Sequence, residues 1–216
     1  MLRPCLLALL LLIGAGPVHA VGEHGRRFAA EIAVMLGDAE KLLAADTLPL
    51  HRRGLEARLE SSLSLLGILA REQAQERGSA PSALLARVNT LRDDYRSGRL
   101  QRLRDDLRAL VQDHPLHLPE WRQPEATAAR LAAGRTLYET LCLACHHQPY
   151  QERENPPYNL FRQARSEARE IFAARLYGGV RGVPATSLDN PLSLEEMTAL
   201  LVWLLEAPDD QIGNAE

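Results

Sequence analysis

Apolar residues recur every three or four positions through four successive segments of the first half, and alternation in twos is hard to find anywhere. Phe28, Ile32, Met35, Leu36, Ala39 and Leu43 form one such series, and Leu55, Leu59, Leu63, Leu66 and Leu69 a second. Leu84, Leu85, Val88, Leu91 and Tyr95 follow, then Leu100, Leu103, Leu107, Leu110 and Val111. A helix turns once in 3.6 residues, so this spacing gathers each series into one stripe. A stripe with a charged back must be covered by another stripe, and the expected product is an antiparallel helical bundle over residues 21–113. Gly78-Ser79 breaks the second segment, Pro81 suits the first turn of the third, and Gly98 suits its stop. Leu, Ala, Arg and Glu dominate, which favours helix; the arginine-rich faces are expected to be solvated surface.

Residues 114–125 cannot continue a helix, because Pro115, Pro119 and Pro124 remove donors and clash with the preceding turn. They are expected to link two halves. Beyond them, Ala126 to Leu143 reads as a helix running into a cysteine pair, and a loop with Pro149, Pro156 and Pro157 follows. A further helix fits Ser166 to Tyr177, stopped by Gly178-Gly179. The last helix opens on a capping box, Ser193-Leu194-Glu195-Glu196, and carries Met197, Leu200, Leu201 and Leu204. The fold class expected is all-α.

The chain starts with Arg3, an apolar run from Leu6 to Ile13, and Val18-His19-Ala20, the pattern of a secretory signal peptide over residues 1–20. The run is too short for a hydrocarbon core of about 30 Å, which takes about 20 apolar residues. An exported, periplasm-type protein is expected, with no membrane insertion after cleavage. The formal net charge of −3 offers no basic patch for nucleic acid.

After the leader only Cys142 and Cys145 remain, followed directly by His146. A dithiol at this spacing serves a thioredoxin-like pair in a βαβ context, or half a zinc site when a second ligand pair matches it. Neither context is present. Cys-x-x-Cys-His is also the attachment signature for c-type haem: Cys142 and Cys145 would form thioethers with the two vinyl groups, and His146 would be the proximal iron ligand. One covalent haem c is the expected cofactor.

Around that motif, residues 128–206 resemble the class I cytochrome c family. Gly134-Arg135-Thr136-Leu137-Tyr138 is similar to the family's amino-terminal helix, where a small residue and an aromatic allow a close crossing. Leu192 to Met197 and Leu201-Val202-Trp203-Leu204 are similar to its terminal helix. The resemblance implies a haem-wrapping cytochrome c domain over 126–208, with 209–216 as a tail. It implies that Pro157, in Pro156-Pro157-Tyr158-Asn159-Leu160, offers its carbonyl to the proximal histidine. It also implies a distal methionine in a Met-Pro-Ala step, but this chain reads Val183-Pro184-Ala185 there. Met197, His117 and His114 are the remaining candidates beside an open iron; Met35 is expected in the core, His147 cannot reach the opposite side, and Tyr158 and Tyr177 are weaker.

The whole chain bears a looser resemblance to the periplasmic, cytochrome-containing front end of iron permeases, without an Arg-Glu-x-x-Glu motif. One-electron transfer with a redox partner protein, membrane-bound or free, is the leading expectation. The alternatives are a haem-based binder or sensor of small ligands, a peroxidase-like activity, and a periplasmic adaptor for a metal transporter. No nucleophile or acid–base pair is legible, so an electron carrier rather than an enzyme is expected.

Overall fold

The computed structural model describes residues 22–146, 156–179, 190 and 192–208, and every regular element among them is helical. The leader at 1–20, His147, Pro149, the Val183-Pro184-Ala185 step and the tail at 209–216 lie outside the described residues. The first half forms α1 (Glu23–Leu43), α2 (Pro49–Glu76), α3 (Ser82–Arg96) and α4 (Leu100–Asp113). The second half has a 3-10 turn (Pro119–Trp121), α5 (Ala128–Leu137), a π-helical turn (Tyr138–Cys142), α6 (Leu143–His146), α7 (Leu160–Ser166), α8 (Arg169–Gly178) and α9 (Leu194–Glu206). No helix among the described residues is long and apolar enough to cross a membrane.

The stripes read from the spacing meet in one core: Phe28, Ile32, Met35, Leu55, Leu59, Leu66, Val88, Leu91, Leu103 and Leu107 are all buried together. α1 is its axis, packing against α2 and α4, while α3 closes against both α2 and α4. Gly98 ends α3 at φ +68°, a left-handed value that only glycine adopts without strain. A second core gathers Trp121, Tyr138, Phe161, Phe172, Leu200, Leu201 and Leu204 around α9. The capping box of α9 is formed: Glu196 N donates to Ser193 Oγ (3.2 Å) and Ser193 N to Glu196 Oε2 (2.8 Å).

The helix expected from Ser166 to Tyr177 is α8, which starts three residues later, and α7 precedes it as a helix that the spacing did not indicate. Asn159 accepts from Arg162 N at 3.1 Å and starts α7 earlier. Glu167 and Ala168 then leave the helix with extended backbone, which turns the Glu167 carboxylate inward. Nor are the arginine-rich segments wholly solvated. Arg175 and Asp38 are buried where α8 lies against α1, and Arg58 reaches Asp38 from α2.

The two halves share this seam. Ile171 of α8 joins the first core, and Ala174 packs on Ala30 and Ala33 of α1. A Cβ on Gly37 would stand 2.9 Å from Arg175 Nη2, so the close approach of α1 and α8 uses that glycine. The segment expected as a linker is a packed strap. His114 sits edge-on to Phe28 and 3.0 Å from Gln73, while Leu118 and Trp121 enter the second core. The Trp121 indole donates to Thr198 Oγ1 on α9 at 2.7 Å, and the ring is 1% exposed. Proline stops the helix there, but nothing in that local rule stops the segment from docking. Trp121→Ala is expected to cost about 3–5 kcal/mol, the usual loss for an emptied aromatic site. Urea midpoints should fall accordingly, and limited proteolysis should cut residues 114–124 faster in the variant than in the wild type.

Candidate functional site

Thr127 starts α5 by accepting from Arg130 N (3.2 Å), and α5 then crosses α9 at Gly134. A Cβ there would overlap the Ala199 carbonyl and stand 2.7 Å from Trp203 Cβ, so the close crossing needs a residue without a side chain. The helix widens to a π turn at Tyr138–Cys142 before α6. Within it the Thr140 hydroxyl donates to the Thr136 carbonyl at 2.7 Å, a back-bond that competes with the regular ladder. Tyr138 is buried edge-on to Phe161 with ring centroids 4.7 Å apart, which anchors the turn in the second core.

This run delivers Cys142, Cys145 and His146 within about one helical turn. Both cysteines are free thiols, Cys142 half-buried and Cys145 exposed. Burial, with Cys145 adding a little, pushes the Cys142 thiol up to about 11, so it is protonated at neutral pH. Leu141 and Leu143, on either side of Cys142 in the chain, are exposed apolar side chains.

The His146 ring is constrained most sharply. Burial lowers its pKa below the usual histidine value, against the opposing hydrogen bond to Tyr158, and so favours neutral imidazole. Its Nδ1 lies 2.7 Å from the Tyr158 carbonyl oxygen. A carbonyl only accepts, so Nδ1 carries the proton and Nε2 keeps the lone pair a metal requires. The resemblance implied Pro157 as the acceptor; the structure puts Tyr158 in that place. The chain path explains it, because Asn159, capping α7, turns the preceding carbonyl toward the ring.

Met197 and His114, two of the distal candidates, are otherwise engaged. Met197 is buried, with its sulfur 3.1 Å from Asn190 Nδ2. His114 is held between Gln73 and Phe28, and burial lowers its pKa. Tyr177 Oη meets both Arg26 and Glu23, and Met35 is in the first core. His117 is exposed on the strap.

Sequence reasoning missed Lys41 and His51, which lie against the Tyr158 ring, and Glu167, Arg175 and Asp38, which continue from Lys41 as a series of ion pairs. Asp38 and Lys41 carried a signal, since both fall on or next to the apolar stripe marked by Met35, Ala39 and Leu42. Among the described residues no cluster of three His, Cys, Asp or Glu side chains is arranged to hold a metal ion by itself. No family model, no curated protein and no solved structure matches the chain.

Proposed function

We propose that this chain is an exported mono-haem c-type cytochrome that transfers single electrons to or from a partner protein. The observation that carries the reading is the His146 ring, half-buried, favoured neutral and bonded at Nδ1 to the Tyr158 carbonyl, so that Nε2 is left as a ligand. Two free thiols three residues apart, the exposed Leu141 and Leu143 and the Gly134 crossing of α5 and α9 support it. These residues fit a covalent haem. Cys142 and Cys145 would carry the thioethers and His146 the iron; when bound, the group supplies a one-electron ferric–ferrous couple. The protein's own part is to fix the His146 tautomer and the direction of its ring.

A second reading, a small-ligand binder with an open distal position, is favoured by the engagement of Met197 and His114 elsewhere. The mature protein, expected to begin at Val21, should exceed its sequence mass by one haem that survives acid–acetone extraction. Replacing both Cys142 and Cys145 by serine should abolish that increment. Extractable haem, or none, overturns the assignment. Fast carbon monoxide binding to the reduced protein selects the open site, and slow binding that His117→Ala accelerates selects a histidine-closed one.

A further inference from the structure

Tyr158 is held from the other half of the molecule. The His51 ring, at the start of α2, lies 4.1 Å from the Tyr158 ring, centroid to centroid, with planes tilted by 32°. Lys41 Nζ, near the end of α1, stands 4.4 Å from the same ring's centroid. Lys41 is the only lysine in the chain. The corner that presents both groups is knitted together: Thr47 Oγ1 donates to the Lys41 carbonyl at 2.5 Å and Arg52 Nη1 to the Leu42 carbonyl at 2.7 Å.

A free lysine side chain would lose much rotamer freedom in making such a contact. Here its position is already set. Lys41 Nζ pairs with Glu167 Oε1 at 3.0 Å, Glu167 with Arg175 at 2.8 Å, and Arg175 with Asp38 at 2.8 Å. Arg58 Nη2 closes the series on Asp38 Oδ1 at 2.6 Å. The series ties α1 and α2 to the break between α7 and α8. It therefore fixes Lys41 relative to the segment that carries Tyr158, whose carbonyl holds the His146 ring.

We propose that Lys41 and His51 are positioning residues for the His146 site: they grip the Tyr158 ring and so hold its carbonyl on the His146 Nδ1 proton. The amino-terminal helices are thereby part of the site's machinery. The consequence for the iron rests on the haem reading above. A firm bond at Nδ1 makes the imidazole a stronger donor, which favours ferric iron and lowers the potential. Loosening the grip should raise it.

The test uses the full-length protein as isolated, with Tyr158→Leu and His51→Leu set against the conservative Tyr158→Phe and Lys41→Arg. Tyr158→Leu keeps the carbonyl and the net charge but removes the gripped ring. Solvent exchange of the His146 Nδ1 proton, read by NMR, should speed by about tenfold, the factor that about 1.4 kcal/mol converts to. Both conservative variants should stay at the wild-type rate. In haem-loaded protein the potential should rise for the two leucine variants and return with Tyr158→Phe. Unchanged exchange in both leucine variants overturns the grip, whether or not haem is present. Faster exchange with an unmoved potential overturns its influence on the iron. Protein without haem defeats the haem reading alone, because the exchange measurement still decides the grip. Urea midpoints identify a leucine variant that merely unfolds; in that case equal exchange in wild type, Tyr158→Phe and Tyr158→Ile overturns the proposal.

Discussion

Arg175→Met is expected to lower stability by about 3–5 kcal/mol, because it leaves two buried carboxylates short of their shared partner. Asp38 would keep Arg58, and Glu167 would keep Lys41, but each loses a contact of 2.8 Å in a site closed to water. The urea midpoint reads the loss. Removing the charges together, as Asp38→Leu with Arg175→Met, should recover part of it, since well-packed apolar groups often replace a buried pair without cost. The pH dependence has a definite sign. Burial alone would raise the Asp38 and Glu167 pKa values, but Arg175, with Arg58 on one and Lys41 on the other, outweighs it and holds both below their ordinary 3.8 and 4.5. A carboxyl depressed in the folded state contributes its stability fully above the unfolded value and loses it as the pH falls through the folded one. Wild-type stability should therefore decline below those ordinary values. Without Arg175 the carboxylates are less costly to protonate than to keep charged, so the gap between wild type and variant should narrow in acid.

Gly134→Val should be comparably damaging, for a steric rather than an electrostatic reason. The new side chain would meet the Ala199 carbonyl and Trp203 Cβ across the crossing, and backbone cannot swing aside as a long side chain can. Overpacking usually costs about 1–3 kcal/mol, and contact with main chain puts this case at about 3. The better helix propensity of any residue over glycine, about 1 kcal/mol at most, does not offset it. Gly178→Ala is the control, because among the described residues nothing lies within 4 Å of a Cβ there. It should leave the urea midpoint unchanged or slightly raised. If the crossing also shapes the cysteine site, Gly134→Val should reduce the yield of haem-bearing protein further than its lowered midpoint requires.

The helices, several of their ends and the buried stripes were legible in the sequence because they follow local rules. A 3.6-residue period, a glycine at a stop and Ser193 with Glu196 at a start act over one or two turns, and each is found. Gly134 was legible too, as a small residue at a crossing, and so was the Cys142, Cys145 and His146 set as a candidate. Only the tertiary structure decided which polar groups go inside. Whether Asp38 is a surface carboxylate or a buried one depends on whether α8 lies over α1 with Arg175 facing it, a separation of more than a hundred residues that no periodicity encodes. The strap shows the same division. Its prolines exclude a helix by local geometry, yet its docking depends on Thr198 presenting a hydroxyl to Trp121 from a distant helix. The acceptor for His146 is a main-chain carbonyl, which every residue has. Its identity as Tyr158 rather than Pro157 was set by the path of the chain into α7, and by no property of the side chain at that position.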